Sequence, residues 1–307
     1  MNLKDEIIRL KKEKNAVILT HCYQNIEIDE ISDFVGDSLY LSKEAAKTSA
    51  DIIIFAGVYF MAQSAKLLSP DKKVLLPNMN SGCLMSDMIT AENLREFKSQ
   101  YPGVPVVCYI NSTAEVKAEC DICCTSSNAV EIVKSLNTDK VLFVPDTYLG
   151  KWVERNLTDV KIITFNGFCP THLRIRPVDI EIARKEYPDA LILAHPECHT
   201  EVSKLADFVG STKEIMDFAQ KSQNRQFVIG TEKGVVERLQ RDNELYNWGK
   251  EFILINPNIT CPNMKQNSLE DIYNVLLNET NEIHIEADIA KKAVISLERM
   301  LHTKVGV

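Results

Sequence analysis

Three short motifs recur in the same order and at the same spacing, which restricts this chain to folds made of three copies of one unit. A hydrophobic run, Val17-Ile18-Leu19-Thr20, ends at His21; twelve residues on comes Asp33-Phe34-Val35, and five after Asp33 comes Ser38. Val106-Val107-Cys108 ends at Tyr109, with Asp121-Ile122-Cys123 and then Ser126 at the same offsets. Leu191-Ile192-Leu193-Ala194 ends at His195, followed by Asp207-Phe208-Val209 and Thr212. Each copy has a second apolar run (52–55, 141–144, 227–229) and a third (74–76, 162–164, 252–255). The third run leads within a few residues to Cys83, Cys169 or Cys261. A period of roughly 90 residues exceeds the 20–50 of stacked solenoid repeats, so the units are small domains.

Apolar runs of strand length alternate with helix-like windows at 42–48, 128–135 and 213–219. Strand and helix in alternation imply an α/β fold with a parallel sheet in each unit, flanked by helices in three αβα layers, and with ligand groups at the carboxyl ends of the strands. His21, Tyr109 and His195 stand at those ends. Ser38, Ser126 and Thr212 precede the helical windows and are read as their N-caps, where free N–H groups and the helix dipole favour anions. The repeat places the boundaries at 1–82 plus 262–307, 83–168 and 169–261. Segments 268–277 and 286–301 read as two helices packing back on the first unit.

Composition narrows the class. A chain of 307 residues, 45% hydrophobic and 25% charged, can bury large cores. A net charge of -8 offers no electrostatic footprint for nucleic acid or an anionic membrane. No run approaches the ~18 apolar residues of a membrane span, and the charged amphipathic start is unlike a signal peptide, so a cytoplasmic protein is expected. Nine cysteines in such a chain argue for reduced thiols, some of them metal ligands.

Cys83, Cys169 and Cys261 sit in polar, turn-forming loops, and two of them precede proline. Cys108, inside an apolar run, reads as a small buried hydrophobe. Cys120-x-x-Cys123-Cys124 has the spacing of a zinc or redox motif but lacks a second pair. His195-Pro196-Glu197-Cys198-His199 lacks zincin spacing, and P-loop and dinucleotide-binding fingerprints are absent. Three thiols admit two readings: a zinc site, which wants four closed ligands, or a cubane cluster with one iron open to substrate as a Lewis acid. His172, His199, His284 and His302 have no repeat equivalents and read as structural or exposed.

The segments His21-Cys22-Tyr23-Gln24, Gly36-Asp37-Ser38, Tyr109-Ile110-Asn111-Ser112, Thr125-Ser126-Ser127-Asn128-Ala129, Gly167-Phe168-Cys169-Pro170-Thr171-His172, His195-Pro196-Glu197-Cys198, Gly230-Thr231-Glu232 and Cys261-Pro262-Asn263-Met264 occur in this order along the chain. Together they resemble the quinolinate synthase (quinolinate synthetase A) family over essentially the whole length. The resemblance implies three α/β domains in pseudo-threefold arrangement around a [4Fe-4S] cluster held by Cys83, Cys169 and Cys261. It implies a transferase that condenses iminoaspartate with dihydroxyacetone phosphate to quinolinate, releasing phosphate and water, in de novo NAD (pyridine nucleotide) biosynthesis.

On that footing Glu197 is the candidate base, Tyr23 and Tyr109 are acids or proton relays, and His21 and His195 bind anions or shuttle protons. Ser38, Asn111, Ser126, Thr212 and Thr231 would position the substrates. The resemblance leaves room for transient contact with an iminoaspartate-producing enzyme. Two rivals stand beside it: a reductive three-cysteine cluster enzyme, and a redox sensor switched by a cluster or by a Cys120–Cys123 disulfide.

Overall fold

The computed structural model describes residues 2–303. The strands form three four-stranded sheets, every pairing within them parallel. The first contains β1 (Ala16–His21), β2 (Phe34–Gly36), β3 (Ile52–Ala56) and β4 (Lys73–Leu75) in the order β2-β1-β3-β4. The second contains β5 (Val106–Tyr109), β6 (Ile122–Cys124), β7 (Lys140–Val144) and β8 (Lys161–Thr164), ordered β6-β5-β7-β8. The third repeats the pattern as β10-β9-β11-β12, with β9 (Leu191–Ala194), β10 (Phe208–Val209), β11 (Gln226–Gly230) and β12 (Glu251–Leu254). The expected α/β units with parallel sheets are therefore present.

Helices on both faces explain why the central strands are apolar without alternation. All of β3 is buried, as are residues 141–144 of β7 and 227–230 of β11. Each fully buried isoleucine, such as Ile53 or Ile54, contributes about 1.5–3 kcal/mol of burial.

The recurring aspartate closes each unit. Asp33, Asp121 and Asp207 accept from the amides of Ile18, Val106 and Ile192 at 2.8, 2.7 and 2.7 Å. Their own amides donate back to the carbonyls of those same residues. The short strands β2, β6 and β10 begin immediately after this clamp. At two or three residues they carry too little pattern for a strand to be read from sequence.

The expected helix caps shift by one or two positions. Asp37 caps helix Ser38–Lys47 through Tyr40 N, and Ser211 caps helix Thr212–Lys221 in a capping box with Glu214. Asn128 occupies the cap of helix Ala129–Ser135. Ser38 and Thr212 are thus first helical residues, and Ser126 lies in the preceding turn. In the first and third units the reason is local: the residue whose oxygen reaches the amide of the third helical position is the one before the hydroxyl.

The two last helices part company. Leu269–Asn278 packs on helix Leu3–Glu13 and β3, as expected for the first unit. Ala287–His302 instead packs on helix Ala114–Lys117, on β6 and on helix Tyr59–Leu68, bridging the second unit and the first. Its Ser296 hydroxyl donates to Lys117 O at 3.2 Å, a contact that no sequence pattern announces.

Candidate active site and metal centre

The carboxyl ends of all three sheets face one cavity. After the third strand of each unit (β3, β7 and β11) a helix begins: Tyr59–Leu68, Thr147–Asn156 and Lys233–Tyr246. The first amide of each donates to the carbonyl two residues before a cysteine: Tyr59 to Ser81 (2.8 Å), Thr147 to Gly167 (2.8 Å) and Lys233 to Ile259 (2.9 Å). One repeated backbone bond therefore presents Cys83, Cys169 and Cys261, and all three line the cavity. Burial pushes the Cys83 thiol up to about 12 and raises Cys169 and Cys261 as well. Without metal these are thiols; metal binding would expel their protons.

A second repeated device orients the strand-end side chains. His21 Nδ1 accepts from Tyr23 N (3.1 Å), and His195 Nδ1 accepts from Glu197 N (3.2 Å). Burial, with the Arg238 charge, takes His21 down to about 3, and burial takes His195 to about 3 against the pull of Glu197. Both imidazoles are neutral at physiological pH. With Nδ1 accepting, Nε2 carries the proton and is free to donate. The pairs His21/Tyr23, Tyr109/Asn111 and His195/Glu197 are repeat equivalents, so the residue two beyond each strand end also belongs to the site.

These pairs tie the units together. Tyr23 Oη lies 2.8 Å from Thr212 Oγ1 and 3.0 Å from Thr231 Oγ1. Tyr109 donates to Glu197 Oε1 at 2.6 Å. Burial, reinforced by Glu197, raises both phenols well above their ordinary range, so they stay protonated. Asn111 Oδ1 is buried without a partner, an acceptor open to a ligand.

His172 corrects the reading from sequence, which left it structural or exposed. It is buried; Nδ1 lies 2.7 Å from Glu197 Oε2 and 3.2 Å from Cys169 Sγ, and Nε2 lies 2.9 Å from Thr231 Oγ1. It was missed because its loop follows β8 and has no histidine counterpart in the loops after β4 and β12. Burial alone would raise the Glu197 carboxyl, but His172, His195 and the Tyr109 hydroxyl together hold it down at about 2. Thr231 is buried behind the site, where it joins Tyr23 and His172, and does not line the cavity.

Ser38, Asn111, Ser126 and Thr212 line the cavity, and Ser38 and Thr212 also begin helices whose positive ends point inward. Among the described residues that line it there is no lysine or arginine. The remaining cysteine motif lies elsewhere. Cys108, Cys123 and Cys124 are buried in the second unit's core, and Cys120 Sγ donates to Val116 O. The neighbouring Lys117 ammonium is fully buried and caps the Ile110 and Ser112 carbonyls. Cys120, Cys123 and Cys124 are all unpaired thiols.

The wall behind His21 is fastened by Arg238, which sequence did not single out. Its guanidinium donates to Cys22 O (2.6 Å), Gln24 O (3.1 Å) and Asp29 Oδ1 (2.5 Å). Gly234 permits this approach, since a Cβ there would lie 2.7 Å from Cys22 O.

The donor set suits metal. Three thiols on equivalent loops, with no fourth on the cavity wall, fit a cluster of several metal atoms with an open position better than a closed zinc site. Cys169, His172 and Glu197 alone bring three donor atoms within 4.8 Å of one another among the described residues. A threefold α/β scaffold that converges thiols, neutral imidazoles and hydroxyls on one cavity defines an enzyme for small polar substrates with a thiol-lined metal site.

Comparison with known proteins takes this further. The profile of the family described as "Quinolinate synthetase A protein" matches residues 5–302. A quinolinate synthase of Alkaliphilus metalliredigens is 52% identical over 303 residues, covering 99% of each chain. One of Caldicellulosiruptor bescii is 50% identical over 299 residues (97% of each), and one of Clostridium perfringens 47% over 300 (98% of each). The chain belongs to the quinolinate synthetase A family. No helix among the described residues is long and apolar enough to cross a membrane.

Proposed function

We propose that this chain is a quinolinate synthase, condensing iminoaspartate with dihydroxyacetone phosphate to quinolinate with loss of phosphate and water. The observation that carries the reading is the convergence of Cys83, Cys169 and Cys261 on the cavity that His21, Tyr109, His195 and Glu197 also line. The three cysteines would hold a [4Fe-4S] cluster, which when bound supplies an open iron as Lewis acid toward a leaving hydroxyl.

Every other role falls to the chain's own residues. Nε2–H of His21 and of His195, the hydroxyls of Ser38, Ser126 and Thr212, and the amide of Asn111 bind the carboxylates and the phosphate. With no cation on the wall, the anions are held by neutral donors and helix ends, which is compatible with releasing phosphate after each turnover. Glu197 is ionised at neutral pH, and a carboxylate held so low is a weak base alone. His172 at 2.7 Å and the Tyr109 hydroxyl at 2.6 Å hold its two oxygens, so position more than basicity qualifies it as the base in enolisation. Tyr109, already donating to Glu197, and Tyr23, on the Thr212–Thr231 pair, supply protons on the other faces.

The test uses protein purified without oxygen and given dihydroxyacetone phosphate and enzymatically generated iminoaspartate, with no reductant. Quinolinate should form, and Glu197→Gln should lower turnover by about 10²–10⁴ while iron content stays level. Iron-loaded protein that forms no product would overturn the reading in favour of a reductive enzyme or a sensor.

A further inference from the structure

The position that caps the helix after each unit's third strand is held by Val58, Asp146 and Glu232. These are repeat equivalents, and each stands beside one cysteine loop, yet they act differently. Val58 makes no side-chain cap. Asp146 Oδ1 accepts from Leu149 N at 2.7 Å, while Oδ2 is buried without a partner. Glu232, fully buried, uses both oxygens. Its Oε2 accepts from Gly234 N at 2.6 Å, and its Oε1 accepts from Cys261 N at 3.1 Å. One side chain thus caps the helix and grips the cysteine.

The hold extends to a second loop. Asn263, two residues after Cys261, donates to Gly82 O at 3.0 Å, next to Cys83. Lys265 Nζ, 3.7 Å from Glu232 Oε1 and 3.2 Å from Gln24 O, offsets the buried charge and joins this loop to the one carrying Tyr23. Fixing the Cys261 backbone therefore also fixes the Cys83 loop, whose neighbouring cap position is Val58.

We propose that Glu232 is a positioning residue of the metal centre, holding the Cys261 backbone, and through Asn263 the Cys83 loop, at the spacing that three-thiol ligation needs. The proposal rests on the reading of these cysteines as cluster ligands. Groups one shell out from a metal ligand commonly govern affinity by 10–100-fold.

The experiment compares anaerobically purified parent with Glu232→Gln and Glu232→Asp. The amide keeps an oxygen for Gly234 but turns an N–H₂ toward the Cys261 amide; the aspartate keeps the cap, as Asp146 does, but falls short of Cys261. Iron and sulfide content, the rate of iron transfer to a chelator and far-ultraviolet circular dichroism are read on each. Both variants should release iron roughly 10-fold faster than the parent with an unchanged fold. If the glutamine variant fails to fold, the aspartate variant decides. Equal release rates would overturn the positioning role and leave the cluster intact as an assignment. A parent that binds no iron would overturn the cluster reading and this proposal with it.

Discussion

His21 and His195 accept backbone amides through Nδ1 and sit in surroundings where a charged imidazole loses its hydration. Both fall from an ordinary 6.5 to about 3, burial being the main cause. As pH drops below about 6.5 the unfolded chain binds protons that the folded chain refuses, so stability is lost down to about pH 3. Each histidine contributes a slope of roughly 1.4 kcal/mol per pH unit in that window. Glu197, held at about 2, adds loss only below its ordinary 4.5. Thermal melts taken from about pH 7 to about pH 4 should therefore fall steadily, and His21→Asn should flatten the slope by close to one proton. An unchanged slope would mean that His21 titrates in the folded state. Both strand-end histidines were legible from the repeat; His172 was not, because its loop follows β8 while its partners Glu197 and Thr231 follow β9 and β11 of another sheet.

The strand–Asp–strand clamp is the element on which the sheets depend. Asp33, Asp121 and Asp207 each bond an amide 15 residues back in the chain, fixing the register of a strand too short to hold itself. Replacing one of them by alanine leaves a strand amide to water and frees the edge. The cost should be about 1 kcal/mol, modest because the aspartates are exposed. The three lie in separate sheets, so the triple alanine variant should lose about 3 kcal/mol, measured as a shift in urea midpoint at constant m. A triple variant no less stable than the single ones would show that the clamps are redundant. The spacing of these aspartates was visible in the sequence, but their bonding was not. The same holds for the caps: Asp37 and Ser211 do what was expected of Ser38 and Thr212, which frees those hydroxyls for the cavity.

The three units meet through a few buried polar groups. Arg238 reaches from the third unit into the loop after β1 and pairs with Asp29, itself almost fully buried. Arg238→Met would keep the volume but take the donor from Cys22 O and leave Asp29 to Arg241 alone. It should destabilise the protein by about 1–3 kcal/mol in denaturant titrations and loosen His21 and Tyr23. A loss below about 1 kcal/mol would mean that water replaces the guanidinium. Ser127 Oγ donating to Asp37 Oδ2 at 2.9 Å and Ala114 N donating to Gln63 Oε1 at 3.1 Å join the second unit to the first in the same way. The closing helix Ala287–His302 spans that seam rather than serving the first unit.

The amino-acid order specified the repeat, the strands at its heart and the three cysteine loops, because each follows from local period and spacing that every copy repeats. Chain folding in three dimensions decided what the repeat does not contain. His172 against Glu197, Glu232 against Cys261, Arg238 against Asp29 and the seat of the last helix all join residues of different context, one copy at a time. Periodicity reports which face a side chain presents, and it is silent about which distant group meets it there.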